Sequence, residues 1–163
     1  PGIDSKTYSL DSFKNAKALV IIFTCNHCPY AQAYEDRIIS LQKDFGGKGA
    51  QVVAINSNED QGYPEDSFDE MVKRAKMRGF NFPYLRDESQ EVAKAYAAER
   101  TPHIYLFDSE RKLAYTGKID DNWEHPEKVK ETYLRDAIDA LLKGGNPKEA
   151  QTFAIGCTIK WKR

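Results

Sequence analysis

The stretch "KALVIIFTCNHCPYAQAYEDR", residues 17–37, decides how the chain folds. Its opening "KALVIIF" is an unbroken apolar run rich in β-branched side chains, the pattern of a strand covered on both faces. Beyond Pro29 the period changes. Tyr34, Ile38, Leu41 and Phe45 recur at helical spacing, with Glu35, Asp36, Arg37, Gln42 and Lys43 between them, until Gly46 and Gly47 stop the helix. A buried strand therefore hands over to an amphipathic helix, and Cys25 and Cys28 stand at the junction. Pro29 suits the first helical turn, where no backbone N–H is missed.

Outward from that junction the pattern repeats. "QVVAIN" (51–56) reads as a second buried strand and "SNEDQGYPEDS" as a polar loop. "FDEMVKRAKMRG" reads as a helix closed by Gly79, "NFPYLRD" as a short extended piece and "ESQEVAKAYAAE" as a helix. "HIYLFD" and "KLAYTGKID", separated by "SER", form a hairpin pattern. "PEKVKETYLRDAIDALLKGG" predicts one long amphipathic helix with Val129, Tyr133, Ala137 and Leu141 on one side. The alternation of strands and helices implies an α/β fold: a central mixed sheet with helices on both faces, in a single domain over residues 1–163. The trailing segment 146–163 carries apolar residues and is expected to pack on that body. Tyr133, Phe45 and Phe68 are core by spacing.

The chain has 163 residues, enough for one domain with a proper core; 40% of them are hydrophobic and 12% aromatic, which excludes a disordered chain. Lys and Arg number 24 against 25 Asp and Glu, a net charge of -1, so a nucleic-acid partner or an anionic membrane surface is not expected. The basic end "KWKR" reads as a solvated terminus. No apolar run approaches the ~20 residues of a membrane span, and no secretory signal is visible. The chain opens at Pro1 rather than Met, which leaves open a leader ahead of it. The compartment is undetermined, with the cytoplasm the favoured expectation. Three cysteines are too few for a disulfide-stapled secreted scaffold, so the close pair points to chemistry.

A thiol at a helix N-terminus faces unpaired N–H groups and the positive end of the helix dipole, which favour the thiolate. Cys25 is therefore expected to have a depressed pKa. Two intervening residues let Cys28 lie one turn inside the helix at bonding distance, so that one thiol attacks a disulfide and the other releases the mixed disulfide. His27, between them, reads either as a stabiliser of the thiolate or as an exposed turn residue. Thr101-Pro102 precedes a strand; in the cis form this bond sets a backbone edge beside the dithiol, with which a substrate's extended chain can pair.

The layout "SLDSFK", "TCNHCP", "INSN", "YPED", "TPHIYLFD", "GKIDDNW" and "IGCTIKW" resembles the thioredoxin-fold redoxins, specifically their peroxiredoxin-like subfamily with a Cys-x-x-Cys motif. The resemblance spans nearly the whole chain. It implies a thioredoxin-like fold and a thiol–disulfide oxidoreductase with no bound organic cofactor. Its partners would be a protein or small-molecule disulfide and a thiol electron donor, with the chain a monomer or weak homodimer. By motif position Cys25 is the nucleophile, Cys28 the resolving thiol and Pro102 the cis-proline, with Thr24, His27 and Thr101 supporting.

The chain departs from that family in places. Thr24 stands where thioredoxins carry Trp, and Leu19 where they carry a buried acid, which implies slow or substrate-restricted exchange unless Glu35 or Glu99 substitutes. The Pro-x-x-x-Thr-x-x-Cys pattern of a peroxidase is absent: Ile22 and Cys25 occupy the Thr position for Cys25 and Cys28, and Pro102 falls at the place of the Arg. Rapid peroxide reduction is not expected. Metal transfer ranks second, through Cys25, Cys28 and His103 as soft and borderline ligands for Cu(I) or Zn. His125 reads as a loop residue. Cys157 reads as a buried apolar cysteine in preference to a third redox thiol. The loops 57–60 and 120–122 follow strands and are expected either to border the site or to be solvated turns.

Overall fold

Strand β1 (Ala18–Phe23) lies at the centre of the sheet, and all six of its residues are buried. In the computed structural model, which describes residues 1–162, it pairs in parallel with β2 (Ala50–Asn56) and antiparallel with β5 (His103–Phe107). Strand β3 (Tyr84–Arg86) extends the sheet beyond β2, and β6 (Leu113–Gly117) beyond β5, giving the order β3-β2-β1-β5-β6. Arg163, the last residue of the basic end, lies outside the described residues.

Alternation along β1 supplies two cores, because successive side chains point to opposite faces. Ala18, Val20 and Ile22 meet Tyr34, Ile38, Leu41 and Phe45 of α1 (Pro29–Phe45). The same layer takes Met71 and Ala75 of α2 (Phe68–Arg78) and Leu134, Ala137 and Ile138 of α4 (Tyr133–Leu142). Leu19, Ile21 and Phe23 face the other way, onto Ala93 of α3 (Glu91–Tyr96), Tyr105 and Ile159. Helices therefore cover both faces, as the strand patterns predict. The Thr101–Pro102 bond is cis. Among the described residues no helix is long and apolar enough to cross a membrane.

Two helices are shorter than their periodicity predicts. The expected helix over 126–145 breaks into a 3-10 turn, Pro126–Lys128, and α4, which starts only at Tyr133. The residues between them bond elsewhere: Lys130 N–H donates to Asp121 Oδ1, and Asp121 N–H donates to the Glu131 carbonyl. Its buried stripe is Leu134, Ala137 and Ile138 rather than the one through Val129; Tyr133 and Phe68 are only partly buried against the core. In α3, Asp87 accepts from the N–H groups of Val92 and Ala93, which sets the start past Glu88. The tail packs as expected and adds a small second sheet: β7 (Cys157–Thr158) runs antiparallel to β4 (Arg100–Thr101), just ahead of Pro102.

Candidate active site

The C-terminal end of β1 delivers Thr24 and Cys25 to one end of the sheet; Cys28 is the N-cap residue of α1 rather than one turn inside it, so Cys25 stands ahead of the helix and not at its N-terminus. The segment between is held by side chains from afar. Asn26 N–H donates to Asp66 Oδ1 at 2.6 Å, its side-chain amide donates to the Glu65 carbonyl at 2.8 Å, and its Oδ1 accepts from the Tyr84 hydroxyl at 2.8 Å. Thr24, buried, donates its N–H to the Ile55 carbonyl. Every polar group of Asn26 has a partner, so the turn carrying both cysteines is fixed from three sides.

Both sulfurs come to Thr101. Cys25 Sγ lies 3.5 Å from the Thr101 hydroxyl, and Cys28 Sγ lies 3.6 Å from the Thr101 carbonyl oxygen. The disulfide, however, joins Cys28 to Cys157, whose Cα atoms are 6.2 Å apart, and Cys25 is the free thiol. This corrects two expectations. Cys157 is half-buried and bonded rather than an inert apolar cysteine, and the partner of Cys28 arrives from the tail. Cys157 also packs against Cys25, Cys28 and Ala31, covering the thiol.

Cys25 is the third correction. Its pKa is pushed up to about 11, chiefly by burial and next by the Asp66 carboxylate; the Thr101 hydroxyl and the N–H groups of Cys28 and His27 pull the other way. The residue is 2% exposed. Desolvation of a thiolate outweighs the few donors of the turn ahead of α1.

Asp66 is the residue at the candidate site that sequence reasoning missed. It is fully buried, makes a short contact to His27 Nδ1, and accepts from Asn58 Nδ2 at 3.0 Å. A His27 ring nitrogen, the Cys25 sulfur and an Asp66 carboxylate oxygen all lie within 4.8 Å of one another. His27 stacks on Tyr63 and is only partly exposed. A buried acid, absent at Leu19, is present beside Cys25 in the 3-10 turn Pro64–Asp66 before α2. Glu35, considered for that part, is bound by Arg74 in two hydrogen bonds of 2.6 Å. Glu99 offers its backbone N–H to His103 Nδ1.

His103 is not gathered with the cysteines. Its Nε2 lies 3.5 Å from the Thr116 hydroxyl, its ring stacks on Tyr105, and burial lowers its pKa. The metal-capable cluster among the described residues is Cys25, His27 and Asp66, not the Cys25–Cys28–His103 set. Loop 57–60 borders the site through Asn58, while Asp120 anchors α1 by binding Arg37 at 2.8 Å. His125 is exposed, in a loop.

Residues 2–134 match the family model described as Redoxin. A search of curated proteins found no match. Among solved structures, an uncharacterized conserved protein from Geobacillus kaustophilus is 44% identical, with a TM-score of 0.93 over 99% of this chain and 89% of that one. A hypothetical protein from Sinorhizobium meliloti 1021 is 40% identical, with a TM-score of 0.94 over the same shares. A thioredoxin-like protein in its oxidized form shares the fold at 14% identity and a TM-score of 0.70, over 86% of this chain and 88% of that one.

Proposed function

The chain belongs to the Redoxin family, with the thioredoxin fold and the general thiol–disulfide oxidoreductase character that go with it, and we propose that its working couple is Cys25 and Cys28. In the reduced protein Cys25 gives its proton to the adjoining His27–Asp66 pair and attacks one sulfur of a substrate disulfide. The new bond joins Cys25 to the substrate, and the departing sulfur leaves as a thiolate. Cys28 then attacks the Cys25 sulfur, expels the second substrate thiol and leaves a Cys25–Cys28 disulfide. The substrate gains two electrons and two protons, and a thiol donor returns them to the couple. In this scheme Thr24, Thr101 and Pro102 support the couple, Thr101 by lying against both sulfurs.

One observation carries this reading: both sulfurs converge on Thr101, one against its hydroxyl and one against its carbonyl, with Cys28 already in a disulfide. Insulin reduction by the pre-reduced protein with a regenerating thiol tests it. Cys25→Ser is expected to abolish turnover, and Cys28→Ser to accumulate a mixed disulfide detectable by mass spectrometry. Wild-type turnover in Cys25→Ser would remove the nucleophile from this scheme.

A second reading, binding of a soft or borderline metal ion, is favoured by the Cys25–His27–Asp66 cluster. Chelator competition with Zn or Cu(I) on the protein is its test. Affinity should fall in Cys25→Ser, His27→Ala and Asp66→Asn and persist in His103→Ala; equal affinity in all four ends the reading.

A further inference from the structure

The tail beyond α4 does more than close a disulfide. Its residues 157–158 pair antiparallel with β4 in the register Thr101↔Cys157 and Arg100↔Thr158. The ladder continues with Ile159 N–H donating to the Glu99 carbonyl at 3.0 Å and Lys160 N–H to Asn58 Oδ1 at 2.9 Å. Gly156 sits so close to β4 that a Cβ there would stand 2.0 Å from the Thr101 carbonyl oxygen and 2.7 Å from its carbon. An extended strand, backbone pairing beside the site and a cysteine opposite Thr101 are together what a captured polypeptide substrate presents; the tail differs in holding its disulfide to Cys28, the resolving thiol of the scheme above, and not to Cys25.

We infer that Gly156–Ile159 is an intramolecular substrate: it fills the β4 edge, Cys157 is a third redox cysteine, and the partner that edge fits is an extended polypeptide with glycine immediately before its disulfide-bonded cysteine. The inference rests on the thiol–disulfide reading above and adds a substrate class to it. Glycine is required because the carbonyl of Thr101 occupies the space of any side chain at that position. The tail leaves by internal exchange. The Cys25 thiolate attacks Cys28 Sγ, a Cys25–Cys28 bond forms, and the Cys28–Cys157 bond breaks with its electron pair going to Cys157. A proton lost from Cys25 is balanced by one gained at Cys157, so no outside oxidant or reductant enters. The two isomers sit at one oxidation level, and the β4 edge is open in the second.

The experiment uses the full chain carrying Cys157→Ser, and the same chain with Gly156→Ala added to dislodge the tail. Three probes are followed by the thiol each releases on exchange with the reduced protein: glutathione disulfide, a peptide of residues 152–162 carrying its cysteine as a glutathione mixed disulfide, and that peptide with alanine before the cysteine. The glycine peptide is expected to react at least about tenfold faster than the alanine peptide, the penalty of forcing a methyl into a filled space. The added Gly156→Ala should raise its rate further. Equal rates for the two peptides alongside normal reaction with glutathione disulfide would overturn the inference and leave the dithiol reading intact. No reaction with any probe, glutathione disulfide included, would defeat both.

Discussion

Cys25 sits between opposing influences. The N–H groups of His27 and Cys28, in the turn ahead of α1, and the Thr101 hydroxyl favour its thiolate; burial and Asp66 favour the neutral thiol, and they prevail. The thiol is latent while Cys157 is docked against it. With the Cys28–Cys157 disulfide intact, its titration should therefore centre near pH 11, read as thiolate absorbance by difference against Cys25→Ser to remove the tyrosines. Asp66→Asn should lower that midpoint, since a neighbouring negative charge opposes a second one. In Cys157→Ser the midpoint should also drop as water reaches the sulfur. A midpoint at or below 9.0 in the intact oxidised protein would contradict burial as the controlling influence. Asp66 was not visible at the site in the sequence for a physical reason. Asp66 bonds to Asn26 across 40 positions of chain, and no local period marks a loop carboxylate that will fold back under a turn.

At the scale of elements, α1 must be held rigidly because Cys28 is its N-cap residue. Two ion pairs do this from opposite sides. Glu35 binds Arg74 of α2, and Arg37 binds Asp120 while donating also to the carbonyls of Asn122 and Trp123. Arg37 is 15% exposed and Asp120 7%, so removing the arginine leaves a nearly dry carboxylate without its partner. Arg37→Ala is expected to cost about 3–5 kcal/mol in urea unfolding. A loss under about 1 kcal/mol would mean that water replaces the guanidinium freely. These elements were legible wherever a single face decides: β1, β2, α1 and α2 follow from apolar period alone. Residues 129–132 keep a helical pattern but lose the helix, because their backbone groups bond to Asp121. The partner of Cys28 was illegible for another reason, since spacing does not determine which cysteines pair.

Across the whole molecule, one bond ties the tail to the site. The Cys28–Cys157 disulfide spans 129 positions, nearly the full chain, so it restricts the unfolded ensemble heavily. Loop entropy alone gives about 5 kcal/mol for such a closure, and native disulfides typically contribute about 2–5 kcal/mol. Reduction should accordingly lower the urea stability of the whole domain by that amount. The effect in the tail should be larger than elsewhere, because β7 has only β4 and a few loop partners to hold it. Hydrogen exchange at Thr158, Ile159 and Lys160 should therefore accelerate on reduction while β1 and β2 remain protected. Cys157→Ser held under the same reductant should match the reduced wild type in both changes. If the reduced wild type keeps its midpoint and its slow exchange at Ile159, strand pairing alone retains the tail, and a released tail can no longer be what opens the β4 edge to a substrate.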